Sequence, residues 1–158
     1  MPDMLVKLYE LPDLEPCLEG LSKAGITVRR TMAYEKEQVV GWVREQFGLR
    51  WAGECDVAFS NHPVSCFIAT DNGEILGFAC YESTCKGFFG PEGVLEENRG
   101  SGIGAALLFS CLHAMAAMGY AYGIIGGVGP TEFYSKVVGA VEIEGSDPGV
   151  YRDRLKVD

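Results

Sequence analysis

Between Leu95 and Leu108 the chain reads Leu-Glu-Glu-Asn-Arg-Gly-Ser-Gly-Ile-Gly-Ala-Ala-Leu-Leu. A strand-like apolar stretch runs into a charged turn, the turn into glycines, and the glycines into a long apolar helix. That order of parts makes an anion site out of main chain. The first N–H groups of a helix have no partner inside it and point along the positive end of its dipole, so a phosphate or pyrophosphate docks there. The backbone of Gly100, Ser101, Gly102, Ile103, Gly104 and Ala105 would supply the donors. The three glycines carry no Cβ to hold the anion off, and Arg99 adds a charge-assisted contact. No Lys follows the glycines, which excludes the phosphate loop of nucleotide triphosphatases. The spacing is G-x-G-x-G rather than G-x-G-x-x-G, and no series of alternating strand–helix units surrounds it, which excludes the dinucleotide fingerprint.

A second segment, Phe133-Tyr134-Ser135-Lys136-Val137-Val138-Gly139-Ala140, lies downstream of the loop. Together, R-x-x-G-x-G from Arg99 to Gly104 and this box resemble the GNAT superfamily of N-acetyltransferases over about residues 26–140. The resemblance implies that acetyl-CoA is the co-substrate and that the glycine loop holds its pyrophosphate. It implies that backbone N–H groups at Val94 and Leu95 polarise the thioester carbonyl, and that Tyr134 protonates the departing sulfur. The sequence departs from the family pattern at two places. Gly127 stands where the family often has a coenzyme-contacting Asn, and Ala140 stands where the box usually closes with Phe.

An alkyl amine has a pKa near 10.4 and needs a base. Glu54, Glu82 and Glu92 fall in segments that border the expected cleft, although charged side chains are mostly solvated and each is expected at the surface. Glu96 and Glu97 flank the loop and are expected to face outward. The acceptor pocket is expected from the segment carrying Arg50, Trp51, Phe59 and His62, with Trp51 and His62 as its substrate contacts. Trp51 could stack on a cation or plug the end of the core.

These groups need elements to position them. Residues 4–9 read as a strand and 14–24 as a helix, taken as an N-terminal extension (1–25). Residues 26–32 read as the first core strand, and 35–47 as an amphipathic helix ended by Gly48. Residues 49–63 give a mixed signal. Two strands, 64–70 and 74–82, are joined by Asp71-Asn72-Gly73, a hairpin signal. Residues 86–95 form the next strand, interrupted at Gly90-Pro91. The loop helix covers 102–118, the fifth core strand 120–128, and a short helix 131–138 with Thr131 as its cap. Residues 142–143 and 151–157 read as closing strands of a C-terminal part (141–158). The order implies one α/β (α+β mixed) domain: a single mixed, mostly antiparallel sheet flanked by helices. The resemblance adds that the fourth and fifth core strands splay into a cleft.

The chain's 158 residues suit one domain, and a net charge of -9 argues against a nucleic-acid partner. Six cysteines show no C-x-x-C pair and no zinc spacing, and the N-terminus resembles no signal peptide, so they are expected as reduced thiols in a cytoplasmic protein. Cys111 and His113, two apart on a helix, do not share a face. The uncharged run 100–131 is long enough to span a bilayer, but its internal glycines and Pro130 favour a buried helix and strand over a membrane segment. The expected activity is acetyl transfer to a primary amine of a small molecule by direct attack in a ternary complex. The alternatives are a non-catalytic acyl-CoA-binding module and a protein or peptide N-acetyltransferase. No metal is expected, and a homodimer stays open.

Overall fold

The computed structural model describes residues 1–157. Seven strands form one mixed sheet in the order β2-β3-β4-β5-β6-β1-β7. They are β1 (Met4–Lys7), β2 (Thr27–Arg30), β3 (Cys66–Asp71), β4 (Glu74–Tyr81), β5 (Phe88–Val94), β6 (Tyr122–Ile125) and β7 (Val141–Glu142). Five helices accompany them: α1 (Glu15–Lys23), α2 (Lys36–Phe47), α3 (Leu49–Ala58), α4 (Ile103–Ala117) and α5 (Thr131–Val138). All strand pairs are antiparallel except β5 with β6.

Strand alternation divides the core in two. On β3 and β4, Ala69, Ala79 and Tyr81 point to the face covered by α1 and α4. Cys66, Ile68, Phe78 and Cys80 point to the other face, under α2 and α3. The β3–β4 hairpin turns through Asn72 and Gly73, both with positive φ (49° and 82°), as a tight hairpin turn requires. Helix α4 is apolar nearly all round, because it lies between the sheet and α1 with Leu107, Leu108, Leu112 and Met115 fully buried. This accounts for the uncharged run without a membrane, and none of the described helices is long and apolar enough to cross one.

The structure corrects several sequence expectations. The N-terminal strand is no appendage: β1 sits inside the sheet, paired antiparallel with β6 on one side and β7 on the other. Its apolar Met4 and Val6 are 0% exposed, so it completes the core. Residues 49–58 are helical, with Ala52, Cys55 and Ala58 on the buried stripe. The closing stretch 152–157 is not a strand; it follows a short 3-10 turn at Gly149–Tyr151. Thr131 is the first residue of α5 rather than its cap, and no side chain caps that helix.

Candidate active site

The seam between β5 and β6 is paired only at its start. Phe88 faces Ile124 and Phe89 faces Ile125, and past that point the strands part. On the other side β5 stays bound to β4 through Val94. The Leu95 N–H donates to Leu76 O at 2.9 Å, one residue beyond the strand. In an antiparallel ladder the pairs alternate, so Val94, opposite Gly77, turns its N–H and C=O away from β4, toward the opened seam. Of the two expected carbonyl-polarising donors, Val94 is free to serve and Leu95 is not. Leu95 ends the stretch read as a strand, and its N–H still belongs to the ladder with β4.

A cavity of about 750 Å³ fills the opening. Trp51, Glu54, Glu92, Gly127, Tyr134 and Tyr151 are among its lining residues. Glu92 and Tyr134 meet across it: the Tyr134 hydroxyl donates to Glu92 Oε2 at 3.3 Å. The other oxygen, Glu92 Oε1, is buried and has no hydrogen-bond partner among the described residues. Burial pushes the Glu92 carboxyl up to about 8, against the opposing effect of the Tyr134 hydrogen bond. Burial and the facing carboxylate also raise Tyr134 well above an ordinary phenol, so it keeps its proton. A carboxyl titrating near neutrality beside a phenol that stays protonated is an acid–base pair suited to moving protons at an amine and a sulfur.

The expectation that the three glutamates lie at the surface is therefore overturned. Glu92 is held on the cavity wall because β5 alternation turns it toward α4, while its neighbour Gly93 packs against Phe47 on the opposite face. Glu54 lines the same cavity, its carboxyl raised by burial and bonded by the Thr84 hydroxyl. Glu82 is 5% exposed and serves structure, accepting from the Gly87 N–H and the Tyr120 hydroxyl.

The glycine loop stands at the start of α4. Gly100 and Gly102 have φ of 79° and 91°, a left-handed backbone that favours glycine. Helix α4 begins at Ile103, leaving the N–H groups of Ile103, Gly104 and Ala105 without helical acceptors. Its first turn holds no acidic residue, and Glu96 and Glu97 are exposed. Arg99 is exposed, with its Nε 3.3 Å from Val94 O. The loop does not itself line the cavity, but Gly104 joins the two: a Cβ there would lie 3.9 Å from Val94 Cγ2 and 4.0 Å from Glu92 Oε1.

Trp51 packs on Phe47 with ring centroids 5.3 Å apart and also lines the cavity. Phe59 packs at the edge of the α2–α3 core. Arg50 lines the cavity and donates to Leu155 O at 2.6 Å. His62, expected as a substrate contact, is exposed and does not line the cavity, because its turn runs on the surface before β3. His113 bonds Pro12 O and makes no pair with Cys111. The departure at Gly127 has a structural counterpart. Its φ is +55°, its N–H donates to Asp3 Oδ1 at 2.8 Å, and a Cβ there would touch the Tyr151 ring at 3.4 Å. Nothing local in the sequence signals that Tyr151 enters this region, since it sits in a stretch read as a closing strand.

The acetyltransferase (GNAT) family matches residues 32–140. The chain belongs to that family, whose members are acyltransferases. No curated protein matches it. Among solved structures, a GCN5-related glucosamine N-acetyltransferase region of a fungal multi-domain GH3 beta-N-acetylglucosaminidase superposes with a TM-score of 0.72 at 16% identity, over 90% of this chain and 19% of that one. A GCN5-related N-acetyltransferase from Sphaerobacter thermophilus gives 0.61 at 21% identity, over 90% and 48%. A conserved protein of unknown function from Staphylococcus epidermidis gives 0.51 at 16%, over 90% and 57%. At these identities the likeness is one of fold. The chain spans less than two thirds of each of these structures.

Proposed function

We propose that the protein transfers an acetyl group from acetyl-CoA to a primary amine of a small molecule. The observation that carries this reading is the opened β5–β6 seam, where Val94, Glu92 and Tyr134 converge beside the start of α4. The coenzyme pyrophosphate would rest on the N–H groups of Ile103, Gly104 and Ala105, with Gly100, Ser101 and Gly102 shaping the approach and Arg99 closing on the phosphates. The Val94 N–H would polarise the thioester carbonyl. Glu92 would accept one proton from the incoming ammonium, directly or through water. The amine then attacks the carbonyl carbon, its nitrogen gives up a second proton to water, and the carbon–sulfur bond breaks as the tetrahedral intermediate collapses. Tyr134 would give its proton to the departing sulfur and recover one from the Glu92 carboxyl.

The acceptor side of the cavity combines an aromatic wall, Trp51 and Tyr151, with the Glu54 carboxyl. That chemistry, with a net charge of -9, favours a small cationic amine over an anionic acceptor. The described cysteines are all free thiols, which fits a reducing cytoplasmic setting. Thermal unfolding with acetyl-CoA, CoA and ATP tests the coenzyme assignment. A ligand at one hundred times its Kd adds about 2.7 kcal/mol. A rise with both coenzymes and none with ATP is expected; no rise with either removes the reading.

A further inference from the structure

Cys55, Cys66 and Cys80 are far apart in sequence, yet their three sulfur atoms lie within 4.8 Å of one another. Each is 0% exposed and none is in a disulfide. Two features of the fold bring them together. Cys66 and Cys80 are cross-strand partners on β3 and β4, so alternation sends both side chains to the face under α2 and α3. Cys55 occupies the buried stripe of α3, between Ala52 and Ala58, and comes down onto the pair. None of the three lines the cavity.

A three-coordinate, pyramidal centre bonded to sulfurs at about 2.3 Å holds them about 3.4 Å apart. The cluster would therefore close by a movement of about 1.4 Å or less. Charge then selects the centre. The surrounding side chains are Val39, Val40, Val43, Ile68 and Phe78, all apolar. The ion pair on the neighbouring helices, Lys36 with Asp56 at 2.8 Å, is exposed and satisfies itself. Three thiolates around a monovalent ion leave two negative charges, and around a divalent ion they leave one. An uncompensated charge in such a core is costly. Around a trivalent centre the complex is neutral, and soft sulfur ligands favour a thiophilic one.

We propose that Cys55, Cys66 and Cys80 form a three-coordinate binding site for a trivalent thiophilic metalloid of the arsenite class. Three S–H bonds and three arsenic–oxygen bonds break, three arsenic–sulfur bonds form, and three waters leave; no electrons are exchanged. Helix α3 also carries Trp51 and Glu54 to the cavity, so ligation pins one wall of the acceptor site to the sheet. Because the cluster is buried, binding waits on local opening of α3 and is slow.

The test is arsenite added to the reduced, full-length chain. Native mass spectrometry should show one arsenic gained with three hydrogens lost, and the unfolding midpoint should rise by roughly 5–10 °C at saturation. Alkylation and peptide mapping of the adduct should find Cys55, Cys66 and Cys80 protected and Cys17 and Cys85 modified. Cys17→Ser and Cys85→Ser should leave the adduct intact, whereas Cys55→Ala, Cys66→Ala and Cys80→Ala should each abolish it. Mapping on the wild type decides the matter even where an alanine variant fails to fold. Absence of an adduct, protection of only two of the three thiols, or protection centred on other cysteines would each overturn the proposal.

Discussion

Replacing Glu92 by Gln should reshape the dependence of stability on pH, and the size of the effect follows from the burial of this carboxyl. Its value rises from 4.5 to about 8 on folding. One pKa unit corresponds to about 1.4 kcal/mol, so the ceiling is about 5 kcal/mol. The side chain lines an open cavity, and screening by water reduces this to about 2–3 kcal/mol. The sign is fixed by linkage. Below pH 4.5 the carboxyl is protonated folded and unfolded, and wild type and Glu92→Gln differ by a constant. Between 4.5 and about 8 the unfolded chain releases the proton and the folded chain keeps it, so the wild type loses stability with rising pH. Above about 8 both states are ionised and the loss stops growing. Subtracting the variant's profile removes the contributions of every other titrating group. Calorimetric midpoints across pH 4–10 should therefore show Glu92→Gln gaining on the wild type by roughly 5–10 °C, given about 2–4 °C per kcal/mol for a chain of this length. The gain should appear between pH 5 and 8 and level off beyond. Parallel profiles would refute the claim that Glu92 is buried at the cost stated. The same variant should lose roughly a hundredfold to ten-thousandfold in turnover if the carboxylate is the base.

Tyr134→Phe should lower kcat by about a hundredfold while the Kd for acetyl-CoA stays within a factor of two, measured by titration calorimetry; unchanged kcat would remove Tyr134 from the proton path. Gly102→Val should abolish coenzyme binding and destabilise the fold by about 1–2 kcal/mol, because a φ of 91° disfavours a side chain; undiminished coenzyme affinity would refute the loop assignment. Gly93→Ala should cost about 1–3 kcal/mol, read by denaturant unfolding, because the new methyl would meet the Phe47 ring at 2.6 Å. A near-neutral effect would show that Phe47 has room to move.

The loop at Gly100–Gly104, the hairpin at Asn72-Gly73 and the two-faced sheet were legible because each is encoded locally, in glycine spacing or in alternation. What escaped the sequence depends on partners distant along the chain. Residues 4–7 carry a strand pattern, but nothing local says that the strand enters the sheet beside β6. Glu92 looks like any surface carboxylate until the parting of β5 from β6 turns its position into a cavity wall. The three-thiol cluster has no readable spacing because a cross-strand pair and a helix stripe supply its members. Leu95 is no free donor because its N–H is bonded to Leu76 O, and a strand reading over residues 86–95 does not say which of its N–H groups face β4.

The central claim is that the Glu92–Tyr134 cavity transfers acetyl groups to amines, and release of free coenzyme thiol from acetyl-CoA tests it most directly. The assay would run the wild-type chain, Glu92→Gln and Tyr134→Phe against a panel of small primary amines. The account predicts amine-dependent thiol release by the wild type, an N-acetylated amine of matching mass, and a rate that both substitutions depress. Coenzyme binding without thiol release from any amine, or release that both variants sustain at the wild-type rate, would contradict it.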